Sequence, residues 1–412
     1  MNNMTKTLLQ INVTCNWGST GRIAEEIGQV AIKNGWRSYI AFSRGNPNSQ
    51  SLLIRIGSKW DMYEHGIESR LLDNHGMASR GATRKLIEQI ETIKPDIIHL
   101  HNIHGYFINY QILFDYLAKS GIPVVWTLHD CWSFTGHCSY FMVSNCYQWR
   151  EGECGNCNHK MAYPVSLLLN RSHRNFIAKK KAFTSVGNVT VVAVSRWLEQ
   201  LAEQSFLGTH HVVCIYNGVN VNVFKPKDNK AEVKRKLGIK QRYMLVGVAS
   251  IWTSTKGLAD FVKLRAVLPA DEYAIVLVGV DDKQAKLLPE GIMVMRRTNN
   301  VAELADIYSA ADVFVNPTWQ DNFPTTNLEA LACGTPVVTY RTGGSPEAVD
   351  EKSGFVVEQG DISGLAKAVN TICSRGKNHY SAACRQRALD HYDKDDCFKD
   401  YVKLYELLLL KN

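Results

Sequence analysis

"DNFPTTNLEALACGTPVVTYRTGG", residues 321–344, follows directly on the apolar run "ADVFVNP" and reads as loop, helix, strand and loop. Asp321 opens the first loop, and a second acid, Glu329, stands eight positions on inside the apolar helix pattern "NLEALACG". Gly334 ends that helix, as glycine commonly does at helix C-termini. "TPVVTY" is a short apolar run of the kind buried in parallel sheets, and Gly343-Gly344 form the next loop. Ligands of open parallel sheets gather beyond the carboxyl ends of the strands. These loops are therefore where chemistry is expected.

The same alternation extends in both directions. Upstream, "YMLVGVAS", "GLADFVKLRAVL", "YAIVLVGV" and "VAELADIYSAA" alternate strand and helix up to "DVFVNP". The first half does likewise, from "TLLQINV" and "GRIAEEIGQVAIKNG" through "RSYIAFS", "TRKLIEQIETIKP", "DIIHLHN", "NYQILFDYLAKSG" and "IPVVWTLHD". Strands separated by helical crossovers predict an α/β fold with parallel sheets. A chain of 412 residues exceeds one hydrophobic core. The polar, lysine-rich stretch "VNVNVFKPKDNKAEVKRKLG" marks the division, giving two Rossmann-like, doubly wound domains at 1–217 and 218–390. The tail, 391–412, reads as a helix whose apolar side packs back on the N-terminal domain, and a cysteine-rich insertion occupies 131–160.

Bulk properties exclude several classes. No window approaches the roughly 18 consecutive apolar residues of a membrane span. The opening apolar run leads straight into a Gly-rich turn and has no small-residue cleavage site, so it reads as a first strand and a cytoplasmic location is expected. The net charge of +8 suits phosphate-bearing ligands or peripheral contact with an anionic membrane face. No arginine-rich tract with interleaved aromatics is present, so nucleic acid is not expected as a partner.

Five sites carry candidate chemistry. Asp321 alone could be a helix cap, but Glu329 within an apolar helix needs a partner. The backbone between them, around Thr325 and Thr326, offers N–H groups at a helix start, a ready site for phosphate. In "VASIWTSTKGLADF", Lys256 precedes a helix and could neutralise a diphosphate. Gly18 lies in the turn "NWGSTGRIAEEI", which is neither a P-loop nor a full dinucleotide fingerprint. His129 and Asp130 end the strand in "TLHDCWSFTGHC", while His101 and His104 in "HLHNIHGYF" lie past another strand, on the acceptor side. Four cysteines of the insertion, Cys138, Cys146, Cys154 and Cys157, include a C-x2-C pair. Structural zinc is expected there in a reducing compartment, with disulfides or free thiols and an iron–sulfur cluster as the alternatives. Cys131, His137 and His159 could stand in for one ligand.

The stretch "NPTWQDNFPTTNLEALACGTPVVTYRTGGSPE" resembles the donor-site signature of family 4 of the retaining glycosyltransferases, which have the GT-B fold, and the similarity extends over nearly the whole chain. It is most similar to bacterial enzymes that build colanic-acid-like and capsular surface polysaccharides. The resemblance implies two domains facing a cleft, a nucleoside-diphosphate sugar as donor, and a saccharide or polyprenyl-linked saccharide as acceptor. It implies no catalytic cofactor, while the net charge and the Trp- and Tyr-rich N-terminal loops suit a place in the cytoplasm at the inner membrane surface. Carried over, Glu329 holds the ribose hydroxyls, and the backbone of Asn322, Phe323, Pro324, Thr325 and Thr326 holds the diphosphate. Asp321 and His129 meet the transferred sugar, Lys256 the leaving phosphates, and Gly18 lets the backbone approach the donor. The chain departs from the family in having Asp321 where glutamate is usual, and Ile251 where many relatives carry arginine. Arg22 or Arg341 is the expected substitute for that charge. A nucleotide-sugar epimerase or phosphorylase of the same fold, and a non-catalytic sugar-nucleotide-binding protein, are the competing readings.

Overall fold

The computed structural model describes residues 5–45, 47–152 and 154–411. The chain forms two compact units, one of Met1–Tyr216 together with Phe398–Asn412, the other of Asn217–Cys397.

The first unit runs β1 (Thr7–Ile11), β2 (Thr14–Cys15), α1 (Gly18–Lys33), β3 (Arg37–Phe42), β4 (Arg44–Gly45) and β5 (Leu52–Arg55). It continues with α2 (Lys59–Leu72), α3 (Arg80–Ile93), β6 (Ile97–Leu100), α4 (Tyr110–Ser120) and β7 (Val124–Leu128). After the insertion come α5 (Ser172–Phe183), β8 (Val189–Ala193), α6 (Arg196–Gln204) and β9 (His211–Cys214). Seven of these strands form one parallel sheet in the order β5-β3-β1-β6-β7-β8-β9. Every residue of β1, β6, β7 and β8 is buried, which is why they read as mostly apolar runs without a strict alternation. The chain builds outward from β1 to β5 and then returns to β6 on the other side of β1. The switch point therefore lies between β1 and β6, and the loops after these two strands flank it.

The second unit runs α7 (Lys230–Lys236), β10 (Tyr243–Val248), α8 (Leu258–Val267), β11 (Tyr273–Val278), α9 (Asp282–Ala285), β12 (Ile292–Met295) and α10 (Val301–Ala310). Then follow β13 (Val313–Asn316), α11 (Thr325–Ala332), β14 (Val337–Tyr340), β15 (Gly354–Val357), α12 (Ile362–Arg375) and α13 (Asn378–Tyr392). Its six parallel strands lie in the order β12-β11-β10-β13-β14-β15, so here the switch point is between β10 and β13. A last helix, α14 (Lys394–Leu410), begins in the second unit and from Phe398 onward belongs to the first. Its Tyr401 and Tyr405 are buried. Tyr405 Oη lies 2.7 Å from His99 Nδ1 on β6, and Thr127 of β7 donates to Tyr401 Oη at 3.1 Å.

Candidate active site

The second unit builds its site from the two loops flanking the switch point. After β10 a short 3-10 turn, Ser254–Lys256, leads to Gly257, whose φ is 79°. A Cβ on Gly257 would lie 2.1 Å from the Pro317 carbonyl oxygen, so only glycine lets this turn rest on the segment after β13. Trp319 N–H then donates to the Thr255 carbonyl at 2.8 Å. With the loops joined, Lys256 Nζ lies 2.6 Å from Asp321 Oδ2, and both side chains keep part of their surface in solvent. The Gly-Gly loop after β14 fastens the other side. Gly343, at φ 53°, comes so near that a Cβ would sit 1.9 Å from the Asp321 carbonyl, and Gly344 N–H donates to the Asn322 carbonyl at 2.9 Å.

Helix α11 starts from Pro324 in an extended conformation, with no side-chain cap. The first N–H groups of a helix lack intrahelical partners, and at Thr325 and Thr326 they stand in a partly exposed turn. Asn322, Phe323 and Pro324 are buried, and Phe323 packs its ring on Tyr392 at 5.8 Å. What these three can offer a ligand is therefore backbone. One turn into α11, Glu329 accepts a hydrogen bond from the Tyr308 hydroxyl at 3.0 Å, and burial together with that carboxylate holds the phenol's proton on. On the buried face of the same helix, Asn327 bonds Asn316 at 2.8 Å and Ser345 at 2.9 Å, locking α11 to β13 and to the turn after β14. Arg341, one substitute expected for the missing arginine, is bound to Glu358 at 2.7 Å, and Ile251 is 71% exposed. Arg22, the other, donates to the Gly18 carbonyl at 3.2 Å in the first unit.

In the first unit the turn after β1 brings Gly18 to φ 68°, and the space a Cβ would take is open, with no atom within 4 Å. The conformation, not crowding, asks for glycine there. The histidines past β6 and β7 form a row. Gln10 of β1 gives its amide N–H to the Ala24 carbonyl at 2.8 Å and so turns its own oxygen to His101 Nε2 at 3.0 Å. That oxygen can only accept, which places the His101 proton on Nε2. Burial keeps His101 neutral, so its Nδ1 accepts, and its partner at 3.2 Å, His129 Nε2, must donate. Burial also pulls His129 down to about 4. His129 is thus a neutral Nε2–H tautomer whose Nδ1 can only accept.

Beside it His104 Nε2 lies 2.8 Å from Asp130 Oδ2, and Trp132 N–H donates to Oδ1 at 2.9 Å. Burial works to raise the Asp130 carboxyl, but the His104 charge and hydrogen bond and the Trp132 N–H outweigh it and hold the group below the ordinary value. His101, His104, His129 and Asp130 line one small pocket with Trp126 and Trp132. Gln10 was not foreseen as part of this site; the available signal was a polar residue in the middle of a buried apolar strand.

The insertion is held by polar anchors. Asp73 accepts from Arg171 N–H at 2.7 Å and lies 2.9 Å from His137 Nδ1. Buried Lys179 donates to the Trp132 and Thr135 carbonyls at 2.7 and 3.1 Å, and burial brings its ammonium down to about 7. The four cysteines expected to hold zinc are close enough to act on one another's thiols. Among the described residues no group of three or more His, Cys, Asp or Glu side chains could hold a metal ion. Cys138, Cys146, Cys154 and Cys157 are free thiols. Burial, reinforced by the neighbouring sulfurs, pushes Cys138 up to about 12 and Cys154 to about 11, so both keep their protons.

Comparison with known proteins matches this architecture part by part. Residues 20–223 match the family described as Glycosyltransferase Family 4, and residues 242–375 that described as Glycosyl transferases group 1. The chain belongs to the glycosyltransferases, with the GT-B fold. Over 97% of its length this glycosyltransferase is 21% identical to the whole of an Escherichia coli protein named as the colanic acid biosynthesis glycosyl transferase WcaC. Among solved structures, sucrose-phosphate synthase from Thermosynechococcus elongatus superimposes with a TM-score of 0.71 at 17% identity, covering 99% of this chain and all of that one. HepE from Anabaena, in complex with UDP-glucose, gives 0.66 at 15% identity, covering 97% and 99%. No described helix of the glycosyltransferase is long and apolar enough to cross a membrane.

Proposed function

We propose that this glycosyltransferase is a Leloir-type, retaining enzyme of bacterial surface polysaccharide synthesis. It takes a hexose from a nucleoside-diphosphate sugar and adds it to a saccharide or lipid-linked saccharide in the cytoplasm, at the membrane face. The likeness to WcaC over its full length supports the pathway, and HepE bound to UDP-glucose supports the donor class. The observation that carries the donor reading is the Lys256–Asp321 pair, 2.6 Å apart, set beside the open start of α11 with Glu329 one turn in. A nucleotide-sugar has hydroxyls at both ends and two phosphates between. In this reading Glu329 takes the ribose, the N–H groups at Thr325 and Thr326 with Lys256 take the phosphates, and Asp321 takes the transferred sugar. Fixed donors and a cation aimed at the departing diphosphate lower the barrier without a metal.

The first unit supplies the acceptor side. His129, with an Nδ1 that can only accept, is suited to a sugar hydroxyl, while His101 orients it and His104 and Asp130 line the acceptor pocket. The acceptor oxygen attacks on the face the phosphate leaves, and that phosphate takes the acceptor's proton. The deciding experiment is a thermal-shift screen against UDP, GDP, ADP, TDP and CMP, since a ligand that binds the folded chain raises its melting temperature. One nucleoside diphosphate should stabilise the protein clearly; no shift with any would end the donor reading. Product NMR should then show the anomeric configuration of the donor kept, and donor isomerisation without acceptor would mark an epimerase instead.

A further inference from the structure

Arg44 stands at the switch point of the first unit. Its backbone N–H donates to the Val13 carbonyl, after β1, at 3.2 Å. Its guanidinium lies against Gly105, after β6, where a Cβ would stand 3.4 Å from Nη2 and 2.7 Å from Val13 Cγ2. The side chain is half-buried, and its hydrogen-bond contact is Met62 Sδ, at 3.7 Å. Its Nε is buried without a partner, and among the described residues no carboxylate stands within ion-pair distance of it. The acid of the neighbouring pocket, Asp130, is taken by His104 and the Trp132 N–H. A cation partly withdrawn from water with no acid beside it is costly unless a ligand supplies the opposite charge.

Two tyrosines stand beside that charge. Burial pushes the Tyr106 and Tyr163 phenols up, and in both the Arg44 charge works the other way, so it lies near each hydroxyl. The two ring centroids are 6.3 Å apart, with the planes at 71°. Tyr106 follows Gly105 in the left-handed region, at φ 70° after φ 111°. For a bulky aromatic that backbone is strained, and such strain gathers at ligand sites. Tyr163 is 42% exposed, yet its hydroxyl is fixed. Its Oη lies 3.2 Å from His104 Nδ1, and His104 Nε2 lies 2.8 Å from Asp130. The Tyr163 carbonyl accepts the Ser139 N–H at 3.3 Å, which ties it to the cysteine-rich insertion. His75 packs edge-on against both tyrosines, at 5.2 and 5.6 Å, and neither of its buried ring nitrogens finds a partner among the described residues.

We propose that these groups form an acceptor subsite for an acidic sugar, a uronic acid whose ring lies on Tyr163 and Tyr106 and whose carboxylate meets Arg44. The C–H face of a pyranose is apolar enough to stack on an aromatic ring, and a few placed polar groups then fix its orientation. The planar fork of a guanidinium matches a carboxylate with two parallel N–H···O bonds. One cation beside two rings suits a single negative charge carried on a sugar. A diphosphate asks for several donors, as the start of α11 with Lys256 offers in the second unit. The inference rests on the reading of the first unit as the acceptor side, and names the acceptor's chemical class.

The test is titration of the full chain, followed by saturation-transfer NMR, with methyl glucuronide, methyl galacturonide, methyl glucoside and glucose 6-phosphate. At least one uronide should bind about tenfold or more tightly than methyl glucoside. Arg44→Gln should erase that preference while the affinity for methyl glucoside, the melting temperature and nucleoside-diphosphate binding stay as they were. Tyr163→Leu should weaken uronide and glucoside alike. No preference for a uronide, or one that survives Arg44→Gln, overturns the proposal. So does a stronger preference for glucose 6-phosphate that vanishes with Arg44→Gln, which would make the anion a phosphate. The donor reading is judged apart from this. Nucleoside diphosphates that bind while uronides fail would sink the subsite alone, and uronides that bind a chain indifferent to every nucleoside diphosphate would sink the donor reading alone.

Discussion

Asp321 and His129 both stand past the carboxyl end of a buried parallel strand, yet their units hold them by opposite means. Asp321 faces a full cation, Lys256, in a setting still open to water. His129 ends a row of neutral rings that begins in the core, with His99 and His101 centroids 4.0 Å apart and His101 stacked on His129 at 5.4 Å. The second unit therefore keeps fixed charge where a diphosphate would lie. The first holds its histidine row neutral with fixed proton positions, beside the ionised carboxylate of Asp130. Charge suits binding of a polyanion; a locked tautomer suits orientation of a hydroxyl.

Acid should separate the two most strongly. Burial lowers His65 and His129 from 6.5 to about 4, and His75, His99 and His101 are held well below 6.5 as well. Between those values the unfolded chain binds more protons than the folded one, so stability rises with pH. The contribution is complete above about 6.5 and is lost as pH falls toward 4, by about 3 kcal/mol each for His65 and His129. The second unit has only His379 and His391, both exposed. Hydrogen exchange near about pH 5 should accordingly show the first unit opening while the second stays protected. Equal protection in both would remove the contrast.

Next in size is Lys256→Ala. If the charged site serves the leaving phosphates, turnover should fall by about 100- to 1000-fold, a loss that steady-state kinetics on any active donor would register. Asp321→Ala and Glu329→Ala should then part company. The first should mainly slow turnover, and the second should mainly weaken nucleoside-diphosphate binding, by about tenfold or more. Equal binding losses, measured by calorimetry, would count against the division of labour along α11. The smallest expected effect is Tyr405→Phe, which leaves His99 Nδ1 without its hydroxyl and should cost about 1–3 kcal/mol in denaturant stability, with nucleotide binding unaltered.

What could be read from sequence follows the same contrast. The order of strands and helices was legible because β1, β6, β7 and β8 are mostly apolar and β-branched, and α1 carries an inward apolar stripe. Glu329 was legible because a carboxylate inside a small apolar helix is costly unless something binds it, and Asp321 by its place in the loop before that helix. Their pairing with Lys256 was not, since 65 positions separate it from Asp321 and the contact depends on Gly257 meeting the Pro317 carbonyl. Helix α2 misleads a reading by period, because its apolar spacing at Trp60, Tyr63, Ile67 and Leu71 lies on the exposed side while its buried face is histidine, glycine and serine. The insertion was visible only as cysteine spacing. Its anchors, Asp73 with His137 and Lys179 beneath Trp132, join residues tens of positions apart through hydrogen bonds that leave no local pattern.

The closing helix has a consequence for synthesis. The first unit takes its final piece from Phe398 onward, and Tyr405 reaches His99 across 306 positions of chain. The second unit is contiguous and falls wholly between them. On the ribosome, where domains usually fold in the order they emerge, this protein reverses the rule for completion. The unit that appears first stays uncovered over β6 and β7 until the other has been made, and nascent chains arrested before Tyr401 should expose that part of the sheet to chaperones.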